Sequence, residues 1–292
     1  TLMKKLQDTT FAIVGLGLIG GSYAKALKNL KVKRIIGMNR NPTVAKMAKE
    51  EGFITDICDA DGKLLKEADV IINALYPKAF LDFVQAQVKN FKHDVLLTDV
   101  MGIKADFPER IDSMLGPDMD FVSGHPMAGR EGKGYGQSAA EIFNNSNYIV
   151  IKRAGNKPEN VAFLKDMAMD FGCKRVVELT TKEHDAIIAY TSNLPHIMAV
   201  ALVNSDSMHA NTKYFIAGSF RDATRVADIN AELWKDLFLF NKANVRAEIA
   251  KLQVQLNKWD KALADNDEQT LITMMKEAKS KREDLFNAKN FR

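Results

Sequence analysis

Apolar residues fall into two textures along this chain. From Phe11 to Leu179 they come as short runs: Phe11–Val14, Arg34–Met38, Ala68–Leu75, Asp94–Thr98, Phe121–Gly124, Tyr148–Lys152 and Arg175–Leu179. Continuous apolar runs of this length, without alternation, are typical of strands buried on both faces. Helices are expected between them: from the glycine-rich turn through Ala24 and Leu27, over Pro42–Glu50, from near Pro77, from near Ile103, and over Val161–Asp170. Strands alternating with helices at this interval predict an α/β fold with a doubly wound parallel sheet. From Thr180 onward the strand-like runs stop and helical periodicity continues to the end. Val245, Ile249, Leu252, Leu256, Trp259 and Leu263 alternate in steps of four and three, the seam of helices packed at a shallow angle. A boundary near Thr180 is therefore expected, between an α/β domain over 1–179 and an all-helical domain over 180–292. The seam fits packing within one chain or a homodimer interface, and the dimer is favoured.

The first strand leads into VGLGLIGGS. Gly15, Gly17 and Gly20 have the G-x-G-x-x-G spacing between a strand and a helix. The first glycine serves the tight turn, the second the approach of a pyrophosphate, and the third helix-on-strand packing. The helix N-terminus offers free N–H groups and a positive dipole end. The alternative is a turn that binds nothing. The expected cofactor set is Gly15, Gly17, Leu18, Ile19, Gly20, Asn39, Arg40 and Asp99. Asn39 and Arg40 stand where an acidic residue would select NAD. A neutral residue followed by a guanidinium favours NADP, with NAD as the alternative.

Composition narrows the class. The 292 residues carry a net charge of +4, with 46% hydrophobic and 27% charged residues, as in globular proteins. No basic tract suggests nucleic acid, and no apolar run reads as long enough to cross a membrane. Cys58 and Cys173 lack metal-ligand spacing, so no metal is expected, and a reducing cytoplasm fits.

Candidate chemistry gathers at the carboxyl ends of the strands, where ligands bind in such sheets. His125, between Gly124 and Pro126, leads into a glycine-rich loop and is placed to take a proton from a substrate hydroxyl. His196 lies in an apolar helical stretch behind Pro195, where the pattern alone favours a core residue. Arg221 and Arg225, four apart on a helix, could face one dicarboxylate or simply be solvated. His184 with Asp185 reads as a hydrogen-bonded pair or a helix start. His93 and His209 read as surface residues.

Five segments together resemble the prephenate/arogenate dehydrogenase family over essentially the whole chain: VGLGLIGGS, LLTDVMGIK, GHPMAGRE, HDAIIAYTSNLPH and FRDATRVADINAELW. The resemblance implies oxidative decarboxylation of prephenate to 4-hydroxyphenylpyruvate in tyrosine biosynthesis by a two-domain dimer. It implies that His125 is the catalytic histidine and that His196 lies at the pyruvyl end of the substrate. It further implies that Arg225 binds a carboxylate and that Glu131 closes the GHPMAGRE loop, with Arg221 and Trp234 near the site. Gly102 stands where the family often has a serine, Arg221 where it commonly has a lysine, and Asn193 where a histidine often precedes the LPH element. The chain as given also stops before the mutase or regulatory domain of some members. Arogenate is the alternative substrate. A reductase of similar build, or an inactive nicotinamide sensor, is the alternative of a different class.

Overall fold

The computed structural model describes residues 5–129, 132–205 and 207–287. Six strands form one all-parallel sheet: β1 (Thr10–Val14), β2 (Arg34–Met38), β3 (Asp56–Ile57), β4 (Val70–Asn73), β5 (Leu96–Asp99) and β6 (Asp120–Phe121). Their order, β3-β2-β1-β4-β5-β6, reverses direction between β1 and β4, the switch point at which such sheets bind dinucleotides. β1, β4 and β5 are buried along their whole length. Alternate residues of one strand feed opposite layers, as a period of two requires. Phe11, Ile13 and Ile72 pack with α1 (Leu18–Asn29) and α2 (Pro42–Glu50). Ala12, Val14 and Ile71 pack with α3 (Pro77–Gln87) and α4 (Phe107–Asp112).

Two expectations are corrected here. The fourth helix begins at Phe107, not near Ile103. Lys104 and Ala105 give their N–H groups to Asp185, and Ala105 sits at φ +43°, a backbone course no helix can follow. The apolar run Phe121–Gly124 is not one strand, because the chain changes sheets at Val122. β7 (Ser123–Pro126) pairs antiparallel with β8 (Asn147–Ile151), which pairs parallel with β9 (Arg175–Leu179). Asp99 accepts from Ser123 Oγ and Gly124 N at 2.7 and 3.1 Å, which directs the chain away from the first sheet. α5 (Pro158–Asp170) packs Val161 and Leu164 into the α1 layer.

Beyond β9 the chain is helical: α6 (Thr181–Ile188), a π-helical turn over Ala189–Asn193, α7 (Leu194–Val203), α8 (Gly218–Thr224), α9 (Ala231–Phe240), α10 (Lys242–Ala264) and α11 (Glu268–Phe286). Thr180 and Glu183 form a reciprocal capping box at the start of α6, worth about 1 kcal/mol. The helical run Thr181–Val203 is long and apolar enough to cross a membrane by length and composition, which corrects the expectation that no run has that length. Polar residues at Thr191–Asn193 interrupt the pattern in the sequence, but the backbone passes through them as a π-turn without leaving the helix.

The chain divides into two compact units, Thr1–Asn241 and Lys242–Arg292. In the second, Leu256, Trp259 and Leu263 of the α10 seam stand exposed, as do Ile272 and Met275 of α11.

Candidate active site

The glycine turn follows β1 directly. Gly15 adopts φ +90°, and a Cβ there would lie 2.9 Å from the Ala74 carbonyl oxygen. At Gly20 a Cβ would come within 1.8 Å of the Gly15 carbonyl oxygen, so only glycine allows the turn and α1 to meet. At Gly17, the N-cap of α1, a Cβ would meet nothing within 4 Å. The outer side of the turn is thus open, and α1 starts without a side-chain cap, leaving its first N–H groups for an anion. These features fit the pyrophosphate of a nicotinamide dinucleotide. Asn39 lies beside the turn. Its Oδ1 accepts from Leu16 N at 2.9 Å and its Nδ2 donates to the Asn41 carbonyl at 3.0 Å. Both ends of the amide therefore brace the backbone, while Arg40 is exposed at the end of β2.

Gly17, Leu18, Ile19 and Gly20 line a cavity of about 600 Å³ that also takes in His125, His196, Arg225 and Trp234. Gly15 and Asp99 do not line it. Asp99 is buried beneath it, accepting from Met101 N, Lys104 Nζ, Ser123 Oγ and Gly124 N. Lys104 is equally buried, 2.8 Å from Asp99, and donates also to the Gly124 carbonyl. Burial pushes its ammonium pKa down, and Asp99 opposes that shift.

β7 presents His125 to the cavity. Its Nδ1 lies 2.8 Å from Nε2 of His184, whose Nδ1 lies 2.8 Å from Asp185 Oδ1. Burial pushes the His125 pKa well below 6.5, helped by His184 and Lys104. His184 is pushed down by burial as well, with Asp185 opposing. A neutral His125 with a ring nitrogen toward the cavity is poised as a proton acceptor. His184 and Asp185 are thus a bonded pair, the first of the two sequence readings, and lie just inside α6, whose start is capped by Thr180 and Glu183. Their link to His125 has no local sequence signal beyond that adjacency.

The other end of the cavity is built by the second half of the same compact unit. Pro195 sits in the first turn of α7, directly after the π-turn and inside the continuous helical run Thr181–Val203, where its missing N–H removes one helix hydrogen bond. His196 Nδ1 donates to the Ser192 carbonyl at 2.8 Å, and its ring stacks on Trp234 with centroids 3.8 Å apart. Burial lowers the His196 pKa, the Ser192 carbonyl opposes, and Arg225 adds to the lowering. Arg225 lines the cavity and Arg221 does not. α8 ends at Thr224, and Arg225 opens a 3₁₀ turn, so the register that would stack the two arginines stops between them. Glu131 lies outside the described residues. Sequence reasoning missed Lys133, between Gly132 and Gly134, and Tyr76, whose hydroxyl accepts from Asn230; both line the cavity. Among the described residues no group of three or more His, Cys, Asp and Glu is arranged for a metal ion.

Comparison with known proteins gives these features a common origin. Residues 23–177 match the family described as "Prephenate dehydrogenase, nucleotide-binding domain", and residues 180–277 match "Prephenate dehydrogenase, dimerization domain". Prephenate dehydrogenase of Bacillus subtilis is 32% identical over 97% of this chain and 77% of its own length. Cyclohexadienyl dehydrogenase of Zymomonas mobilis is 28% identical over 93% and 94%. The crystal structure of prephenate dehydrogenase from A. aeolicus, in complex with hydroxyphenyl propionate and NAD+, superposes with a TM-score of 0.88 at 27% identity, covering 97% of this chain and 100% of that one. With a nucleotide-binding sheet, an open glycine turn and a half-buried histidine on one cavity, the chain belongs to the prephenate dehydrogenase family of NAD(P)-dependent oxidoreductases.

Proposed function

We propose that this chain oxidatively decarboxylates prephenate to 4-hydroxyphenylpyruvate in tyrosine biosynthesis, acting as a cytoplasmic homodimer through its C-terminal helices. The observation that carries the reading is the cavity itself, which joins the glycine turn, His125, His196 and Arg225 on one surface. Prephenate is a dianion with a ring hydroxyl. It needs cations for its carboxylates, a base for the hydroxyl and a hydride acceptor beside the ring. A dinucleotide held by its pyrophosphate at the glycine turn would supply the hydride acceptor through its nicotinamide. His125, neutral and facing the cavity, accepts the hydroxyl proton as the C–H bond of that carbon gives up its hydride. Loss of CO₂ then aromatises the ring, and the same proton returns to the phenolic oxygen. Proton transfer of this kind contributes about 10²–10⁴ in rate. Arg225 faces a carboxylate, with His196 and Trp234 forming the wall at the pyruvyl end.

NADP is favoured over NAD. Asn39 is neutral and braced on the backbone, so no carboxylate repels a 2′-phosphate, and exposed Arg40 can pair with one. The functional division falls near Thr180, between the two family matches. Gly102 favours a second reading: it leaves the hydroxyl without the serine donor common in the family, which suits an inactive sensor. Absorbance of reduced nicotinamide, with prephenate and arogenate each offered against NAD and NADP, tests all of this. Turnover of prephenate, faster with NADP, is expected. Turnover of arogenate alone would replace the substrate. Silence from folded protein that still binds dinucleotide would favour the sensor.

A further inference from the structure

We propose that Asp185 and His184 form a positioning relay that holds His125 with its proton on Nδ1 and its Nε2 lone pair bare toward the cavity. The proposal rests on reading His125 as the base of this site.

The argument is one of donors and acceptors. Asp185 Oδ1 accepts from Lys104 N at 3.0 Å, and Oδ2 accepts from Ala105 N at 2.7 Å. Both oxygens thus serve as acceptors, so His184 Nδ1, 2.8 Å from Oδ1, must carry a proton. A neutral His184 then has its lone pair on Nε2. That nitrogen is 2.8 Å from His125 Nδ1, which must therefore be the donor. The proton of His125 is accounted for, and Nε2 is left as the base. The reverse polarity would set two lone pairs against each other at the carboxylate. Among the described residues Nε2 has no protein hydrogen-bond partner, and a Cβ at Gly102 would lie 3.7 Å from it, in ordinary van der Waals contact.

Charge placement supports the same assignment. His125 is faced by His184 from α6 and by Lys104 from the segment after β5. His184 is faced by Asp185, Lys104 and Asp99. Lys104 is paired with Asp99, which leaves Asp185 as the carboxylate available to a new positive charge. When His125 takes a proton at Nε2, its Nδ1 proton can pass to His184 Nε2, which leaves the charge beside Asp185. His184 is wholly buried and Asp185 nearly so, which strengthens that compensation.

The test combines Asp185→Asn with the tautomer of the intact protein. An amide can donate to His184 Nδ1 and reverse the chain, placing the His125 proton on Nε2. With the substrate the native enzyme turns over, kcat should fall roughly 10²–10⁴-fold with KM little changed, as misoriented tautomers cost elsewhere. The acid limb of kcat should move to a different pH. Unchanged kcat and an unchanged pH profile would overturn the relay. Long-range ¹⁵N–¹H correlation spectra of the native protein, free of ligand, should show His125 protonated at Nδ1 and bare at Nε2. A proton on Nε2 would overturn it even if the variant fails to fold. A native enzyme inert toward prephenate and arogenate would instead remove the proposed reaction, with the spectra still deciding the tautomer. His184→Ala should be partly rescued by free imidazole entering the vacated space, and no recovery would count against the relay.

Discussion

Mild acid should destabilise this protein before its carboxylates are protonated. Burial pushes His125 and His184 below the ordinary histidine value of 6.5, whereas in the unfolded chain both titrate near it. Between the depressed folded values and 6.5 the unfolded chain binds protons that the folded protein refuses. Stability is therefore intact above that value and is lost as pH falls through the window. A histidine that stays neutral in the fold loses about 1.4 kcal/mol per pH unit. Integrated from about pH 7 to about pH 5.5, each contributes at most about 1.3 kcal/mol, or about 2.5 kcal/mol for the pair. His196 is half-buried and adds less. Against a typical total of roughly 5–15 kcal/mol, such a loss is measurable by urea denaturation at the two pH values. His125→Asn, with one titrating imidazole fewer, should lose about half as much between the same pH values, and its kcat should fall roughly 10²–10⁴-fold. A native loss below about 0.5 kcal/mol, or an equal loss in the variant, would refute buried neutral imidazoles as the cause.

Arg225→Ala should raise KM for the substrate roughly 10–100-fold by removing a charge-assisted carboxylate contact, and steady-state kinetics showing a change in cofactor KM alone would contradict that placement. Gly20→Ala drives a Cβ to 1.8 Å from the Gly15 carbonyl oxygen; nicotinamide binding followed by fluorescence should weaken more than about tenfold, because the pyrophosphate turn must shift. Gly102→Ser fits without a clash, since its Cβ lies 3.7 Å from His125 Nε2; substrate KM should fall with the melting temperature unchanged, as the added hydroxyl can bond the substrate hydroxyl. Lys104→Met leaves Asp99 buried without its cation and should cost about 3–5 kcal/mol in chemical denaturation.

Much of the nucleotide-binding half was legible because its strands are buried on both faces. Arg34–Met38 and Arg175–Leu179 carry apolar runs whose ends coincide with the observed strands. The glycine spacing was legible for the same steric reasons that the structure displays at Gly15 and Gly20. What escaped was long-range. Val122 lies inside an apolar run, and nothing local announces that the strands on either side join different sheets. Asn39 reads as a neutral residue at the cofactor-selecting end of β2, and the bonds of its amide to Leu16 N and the Asn41 carbonyl have no local sequence signal. His184 and Asp185 are visible as neighbours, but their partner His125 lies 59 residues away. A histidine–aspartate pair just inside a capping box was the one signal available, and it fits an ordinary helix start equally well.

The placement of Asp99 ties His125 to the sheet that carries the glycine turn. Asp99 ends β5 beside Asn73 of β4, which in turn pairs along β1 just before the glycine turn. From there its carboxylate binds the start of β7 through Ser123 and Gly124, one residue before His125. It also binds Met101 N and Lys104. The neighbouring backbone of Lys104 and Ala105 reaches Asp185, and through it His184. Both nitrogens of the His125–His184 contact are thus tied to the segment that follows β5, one through Asp99 and one through Asp185. Burial of Asp99 and Lys104 therefore holds the start of β7 and the segment after β5 in place without either group reaching the cavity.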